Sequence, residues 1–211
     1  NGLHCCNAAG NSGHDSDPQI GHLGGAPADA FKVLTIGAVT SEGSISGFSS
    51  DGPTADGRLK PELLARGSGT QTVSPSNDQN YTGASGTSLS TPVAAGAVAC
   101  LAQARPWWSV DQMRSNLFTR ASEFVANGVP DPLMVRGYGI INAAGALAAE
   151  CYANCDGSLI APALNVNDFI CFQNRFGLGD PYTNCDGSTI PPVLNVNDFI
   201  CFQIKFAQGC P

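Results

Sequence analysis

The stretch Gly86-Thr87-Ser88-Leu89-Ser90-Thr91-Pro92, followed by Val93-Ala94-Ala95-Gly96, decides how the rest of the chain is read. It describes a serine at the start of a buried helix. Thr87 or Ser88 is placed to cap the first turn, and Pro92 is tolerated only near a helix start, where its missing N–H is not needed. From Val93 to Ala104 nearly every side chain is small and apolar. Such a helix lies close against a sheet and holds Ser88 rigidly at its positive N-terminal end. Ser88 is therefore a candidate nucleophile; the plainer reading of a serine at a helix start is a cap.

A second stretch, Asn7-Ala8-Ala9-Gly10-Asn11-Ser12-Gly13, complements the first. When a serine oxygen attacks an amide carbonyl, the carbonyl oxygen becomes an anion. A fixed neutral donor such as an Asn amide, together with the serine's own backbone N–H, stabilises it. An Asn between glycines is otherwise an ordinary turn residue. The two stretches together resemble the subtilisin-like serine proteases. Gly86-Thr87-Ser88-x-x-Thr91-Pro92 is similar to that family's serine motif, and Asn7 to Gly13 resembles the segment carrying its oxyanion-hole asparagine, here Asn11. The resemblance implies Ser88 and Asn11 as catalytic residues. It also implies that Ala8, Ala9 and Gly10 line one wall of the pocket for the substrate residue before the scissile bond. It covers about residues 1 to 149 and implies a partial subtilisin-like fold: α/β, with a parallel sheet flanked by helices.

Composition limits the alternatives. The chain has 211 residues, a length that fits one domain plus a small module. A net charge of −7 argues against nucleic-acid binding, because no basic patch is available for phosphates. The longest apolar run, Val93 to Ala104, is too short and too rich in Ala and Gly to span a bilayer. Asn1-Gly2 resembles a helix end in mid-domain rather than a natural start. Of nine cysteines, Cys5, Cys6 and Cys100 lie in the first part, while Cys151, Cys155, Cys171, Cys185, Cys201 and Cys210 crowd the last 61 residues. Six in a short loop-rich module point to disulfides, an oxidising compartment and a secreted, extracellular or cell-surface protein.

In chain order, Leu3 to Ala9 is expected as a short buried strand, with Cys5 and Cys6 as small buried apolar residues. Asn11 to Asp29 is rich in Gly, Pro, Asp and His and reads as loop. His14 and His22 are rejected as catalytic or metal residues. Neither lies in the Gly-Thr-His setting of the family's histidine, and their spacing is not that of a zinc site. Val33 to Val39 is a near-continuous β-rich run, as expected for a parallel strand covered on both faces. Ile45 to Ser50 is a further short strand. Phe48 to Pro53 and Lys60 to Ala65 resemble the family's segment between strand and serine. Glu62 and Arg66 replace the more usual Asp and Pro, changes expected to affect a turn and not the chemistry. Ser109-Val110-Asp111-Gln112 is a capping box, and Val110, Met113, Leu117 and Ala121 give an amphipathic surface helix. Trp107 and Trp108 are packing residues. Gly137 to Ala143 and the run to Ala149 resemble the closing strand and helix.

A serine is a poor nucleophile until a base takes its proton, and a carboxylate must orient that base. In the family the order along the chain is Asp, His, Ser, so both partners belong upstream of Asn1. The expectation is the C-terminal part of a longer endopeptidase, inactive as this chain alone and acting on protein or peptide substrates. Its triad Asp and His are not in the chain.

Residues 150–211 form a second module with an internal repeat, 154–183 and 184–211. Asn154-Cys155-Asp156-Gly157-Ser158 to Phe176 recurs 30 residues later as Asn184-Cys185-Asp186-Gly187-Ser188 to Phe206. Phe169, Phe172 and Phe176 lie at helical spacing, as do Phe199, Phe202 and Phe206. A single copy could not bury that face, so two helices pack on each other. The pattern resembles dockerin modules, paired calcium loop–helix units. The ligands implied are Asn154, Asp156, Ser158, Asn165 and Asp168, then Asn184, Asp186, Ser188, Asn195 and Asp198. Two features depart from the family. Tyr152 and Tyr182 occupy the first ligand position, and Leu159 to Ala163 and Thr189 to Val193 are inserted. The alternative is that these Asp and Asn residues are caps and turns, with cysteines as staples in place of metal. Equal spacing suggests Cys155–Cys171 and Cys185–Cys201, with Cys151–Cys210 clasping the ends, among fifteen possible pairings. The rival to an enzyme is an attachment protein whose tail docks to a cohesin-like or surface partner.

Overall fold

The computed structural model describes residues 2–148, 152–156 and 164–209. Strands β1 (Cys6–Ala8), β2 (Leu34–Val39) and β3 (Leu63–Arg66) form a parallel sheet in the order β1-β2-β3. Cys6 lies beside Leu34, and Ile36 lies between Ala8 and Leu63. Every residue of β2 is buried, which suits its apolar and small side chains and its place between two parallel neighbours. A hairpin of β4 (Thr70–Ser74) and β5 (Asn77–Ala84) leads into α1 (Thr87–Ala104). Thr87, Ser90, Ala94, Val98 and Leu101 are the buried stripe of α1, spaced three and four apart. That stripe packs on all three parallel strands. Then come α2 (Val110–Phe118), α3 (Ser122–Asn127) and α4 (Ala143–Ala148). The core joins Leu34, Ile36 and Leu63 of the sheet to Val98, Leu101, Trp108, Met113 and Leu117. The first unit, Asn1–Leu147, is thus an α/β fold with helices on a parallel sheet.

Several local expectations are corrected. The first strand covers only Cys6–Ala8, and Leu3 is 80% exposed. Its one partner, β2, begins at Leu34, opposite Cys6, so the ladder has nothing to run on before that point. Cys5 is exposed and Cys6 half-buried. Burial, with Cys5 alongside, pushes the Cys6 thiol up to about 11. Ile45 to Ser50 makes one bridge, Ile45 to Val39, and then turns. There the Ser49 hydroxyl accepts from the Ala38 N–H, a side-chain contact that competes with strand pairing. The hairpin β4–β5 and helix α3 were not legible. By contrast, Ser109 makes the expected capping box with Gln112, and Trp108 is buried in the core.

Glu62 does more than shape a turn. Its Oε1 accepts from Lys60 Nζ at 2.7 Å and from Arg114 at 2.9 Å, and its Oε2 accepts from the Thr35 N–H at 2.8 Å. Lys60 and Arg114 both also donate to the Val33 carbonyl. Lys60 is 1% exposed, and burial pulls its ammonium below the ordinary lysine range. The longer side chain at 62 thus ties β2, β3 and α2 together through buried charge.

The second unit, Ala148–Pro211, contains α5 (Val166–Gly177), a 3-10 turn at Pro181–Thr183, and α6 (Val196–Gln208). Each helix begins with the same capping box. Asn165 accepts from the Asn167 N–H while Asp168 accepts from the Asn165 N–H, and Asn195 and Asp198 repeat the pattern. Phe172 stacks on Phe202 at 4.2 Å, Phe169 meets Phe206 at 4.5 Å, and Phe176 meets Phe199 at 4.6 Å. The partners run in opposite order along the two helices, so the helices lie antiparallel. Tyr152 and Tyr182 stack at 4.8 Å, and each hydroxyl donates to the other's carbonyl. Disulfides join Cys155 to Cys171 and Cys185 to Cys201, each across 16 residues. Closing a loop of that length contributes about 3 kcal/mol. Ser158, Cys151 and Cys210 lie outside the described residues.

Candidate active site

The site is built where the C-terminal end of β1 meets the N-terminal end of α1. Gly86 precedes the helix with φ 150°, a conformation that glycine tolerates and most side chains do not. Its N–H donates to the Gly67 carbonyl at 2.8 Å. A Cβ on Gly67 would stand 2.6 Å from Ala38 Cβ and 2.8 Å from the Gly86 carbonyl, so only glycine lets the serine turn come this close to the sheet.

The first turn is not capped by Thr87 or Ser88. Gly86 is the N-cap, and no side chain caps it. Thr87, 1% exposed, is turned towards the β1 segment instead. Its N–H donates to Asn11 Oδ1 at 2.9 Å. Its hydroxyl accepts from the Gly10 N–H at 3.2 Å, and Asn11 Oδ1 at 3.0 Å is an acceptor for its one proton. Asn11 is thus held by its oxygen, and its Nδ2 makes no hydrogen bond to a described residue. The first amides of a helix have no intrahelical acceptor. Here the Thr87 N–H goes to Asn11 and the Leu89 N–H to Gly86, while the Ser88 N–H has no acceptor among the described residues. Ser88 itself is exposed. Its hydroxyl has no hydrogen bond to a described residue. Pro92, the sixth residue of α1, supplies no N–H to the Ser88 carbonyl, and the Ser90 and Thr91 hydroxyls donate to the Thr87 carbonyl.

The structure therefore brings Asn11 to within one residue of Ser88, although 76 positions separate Asn11 from Thr87 in the chain. Ala8 to Gly10 arrive with it. Ala9 donates to the Ile36 carbonyl and accepts from the Gly24 N–H at 2.7 Å, and the Gly10 carbonyl accepts from the Ser50 N–H at 3.0 Å. The positioning contact of Thr87 was missed. It was legible only as a residue type suited to capping, and a hydroxyl next to a candidate nucleophile has two uses.

Of the two histidines set aside, His14 Nδ1 lies 3.2 Å from the Ser49 carbonyl. His22 Nδ1 lies 2.7 Å from Asp51 Oδ1, with Asp51 1% exposed and Asp15 nearby. The hydrogen bond to Asp51 raises the imidazole above its ordinary range. The three side chains have the donor types of a metal group. No imidazole in the described residues bonds to Ser88. In the second unit, the Asp186 and Asp198 carboxylates stand close together, and Asn184 Oδ1 is buried without a hydrogen-bond partner. Burial raises the Asp168 carboxyl of the first repeat.

With this geometry in place, comparison with known proteins is informative. The model of the subtilase family, Peptidase_S8, matches residues 2–140. Serine protease AprX of Bacillus subtilis (strain 168) is 32% identical over 135 residues, covering 55% of this chain and 29% of that protein. Subtilisin DY of Bacillus licheniformis is 36% identical over 116 residues, covering 54% and 38%. The minor extracellular protease Vpr of Bacillus subtilis (strain 168) is 35% identical over 102 residues, covering 46% and 12%. The chain thus spans well under half the length of these relatives. Among solved structures, the patellamide maturation protease PatG superposes with a TM-score of 0.53 over 69% of this chain and 43% of that one, at 24% identity, a likeness of fold.

Proposed function

This chain belongs to the subtilase family, and from that premise we propose that it is the C-terminal part of the catalytic domain of a secreted serine endopeptidase, followed by a dockerin-like tail. The observation that supports the reading is the clamp of Thr87 on Asn11 Oδ1, which holds that amide one residue away from the exposed Ser88. Ser88 Oγ attacks the scissile carbonyl. The oxyanion is held by Asn11 Nδ2 and the Ser88 N–H, and water later releases the acyl group. The base and its orienting carboxylate are supplied from outside residues 1–211, so this chain alone does not turn over substrate. Two disulfides and the likeness to an extracellular protease support secretion.

Replacing Asn11 with leucine in the full-length protein removes one of two oxyanion donors. We expect kcat on a peptide anilide to fall about 100- to 1000-fold with KM little changed. A loss confined to KM, or smaller than fivefold, would remove Asn11 from the chemistry.

For the tail, the donors fit a hard cation. In the second repeat Asn184 Oδ1 is buried without a hydrogen bond, and the carboxylates of Asp186 and Asp198 adjoin each other. Asn154, Asp156 and Asp168 are their counterparts in the first repeat. When bound, calcium would neutralise these paired carboxylates and tie each loop to its helix. Asn195 spends its side-chain oxygen on the Asn197 N–H, and the Ser188 carbonyl accepts from Asn184 Nδ2, so both would contribute weakly. Titrating calcium into the full-length protein should give saturable heat in a calorimeter that falls away in Asp198→Ala. Heat of dilution alone would leave the capping reading in place. A docking role for the tail is favoured by one observation. The repeats present matched apolar side chains, with Val166 and Val196 each 68% exposed and Ile170 and Ile200 each 50% exposed.

A further inference from the structure

A second concavity lies at the other end of the sheet from Ser88. Ser88 sits near the C-terminal ends of the parallel strands, next to Gly67 and Val39. Lys60 and Glu62 sit at their N-terminal ends. The six residues of β2 put those ends about 16 Å apart at roughly 3.3 Å per residue. The cleft there has a volume of about 200 Å³. Phe31, Phe118 and Tyr138 wall it, and Arg58, Lys60 and Arg114 reach it with Glu62. The chain has ten basic side chains and a net charge of −7, yet three of the ten converge here.

The unused donors of the cleft favour an anion. Glu62 is saturated by Lys60, Arg114 and the Thr35 N–H. Both Asp56 carboxylate oxygens accept from Arg58 Nε, at 3.0 and 2.9 Å, and Oδ1 also accepts from the Thr54 hydroxyl at 2.6 Å. With Asp29 also acting on Arg58, three cations stand against three carboxylates, so it is unused donors and not excess charge that would hold an anion. The terminal nitrogens of Arg58 and the hydroxyl of Tyr138 have no hydrogen-bond partner among the described residues. The walls are also aromatic. Arg58 lies 4.0 Å over the Phe31 ring, Arg114 lies 4.9 Å over Phe118, and Phe118 stacks on Tyr138 at 4.3 Å. A cavity of about 150 Å³ is enough for benzene, so this volume has room for a ring and a carboxylate.

We propose that this cleft binds an aromatic carboxylate, with Arg58 and the Tyr138 hydroxyl on the carboxylate and the ring against Phe118 and Phe31. A bidentate guanidinium–carboxylate contact supplies the orientation, and the aromatic walls supply the rest. The same chemistry comes from a free aromatic acid or from an aromatic residue at the C-terminus of a peptide. The site is independent of the hydrolase reading, since none of its residues takes part in it.

The test uses the full-length protein carrying Ser88→Ala, so that neither turnover nor an acyl adduct intervenes. Benzoate, N-acetylphenylalanine, its amide, benzamide and acetate are titrated at low salt by ligand-observed NMR and calorimetry. We expect saturable binding of the two aromatic acids at least tenfold tighter than of acetate or of either amide. The ratio of benzoate to N-acetylphenylalanine separates the free-acid source from the peptide source. Arg58→Gln should cost tenfold or more, and Tyr138→Phe severalfold. Arg58 is outside the buried Glu62 network, so that variant is expected to keep its circular dichroism and melting temperature. Equal binding of acid and amide, or an undiminished affinity in folded Arg58→Gln, would overturn the proposal.

Discussion

Replacing Ser88 with alanine in the full-length protein is expected to lower kcat by about 10⁶-fold. In a subtilisin, loss of the serine alone costs about as much as loss of the whole triad, roughly 2 × 10⁶. The reason is that base and carboxylate act only through the nucleophile. The residue left at position 88 would still present the backbone N–H, and Asn11 would stay clamped by Thr87. Catalysis of roughly 10³- to 10⁴-fold over water should therefore survive from the oxyanion donors and substrate binding. The measurement is steady-state hydrolysis of a peptide anilide, paired with labelling by a serine-directed phosphonate. The expected label is on Ser88 and is absent from the alanine variant. A variant retaining a tenth of the parent rate, or a label on another serine, would end the assignment.

The second large effect is on stability. Glu62→Ala should destabilise the first unit by about 3–5 kcal/mol, because it leaves a buried lysine without its counter-ion. The Thr35 N–H loses its acceptor in the same step, itself a cost of about 1–3 kcal/mol. The sign with pH follows from Lys60. Burial already holds its ammonium below the ordinary range, and removing Glu62 deepens that shift. Between the depressed folded value and the unfolded value near 10.4, the unfolded chain binds more protons, so stability rises with pH. The gap between parent and variant should therefore be smaller at pH 10 than at pH 7. Urea denaturation at both pH values measures it. A gap under 1 kcal/mol at pH 7, or one that widens with pH, would show that the network carries no net stability.

These two positions also mark how far sequence alone reaches. The serine turn and its helix were legible because their motif is local. The glycine, serine and proline lie within seven residues, and the apolar helix follows directly. Glu62 was legible only as a departure from a familiar pattern, and its effect was assigned to a turn. Its partners, Lys60, Thr35 and Arg114, are gathered from three elements, and side-chain length matters only once they meet. The hairpin Thr70–Ala84 was missed for a related reason. Most of β4 and β5 is exposed and polar, so no alternation of apolar residues announces it.

The amino-acid order alone determined the local elements: the buried β2 run, the small-residue face of α1, the Ser109 capping box and the 30-residue duplication with its evenly spaced cysteines. Each rests on contacts within one element or on a repeat visible along the chain. Only the tertiary structure decided that Asn11 and Thr87 meet and that Thr87 positions the amide instead of capping the helix. It also decided that the tail phenylalanines pair in reverse order and that three cations converge at the N-terminal end of the parallel strands. Those contacts join groups distant in sequence, and their partners are chosen by the packing of strands and helices, which no short stretch of the chain encodes.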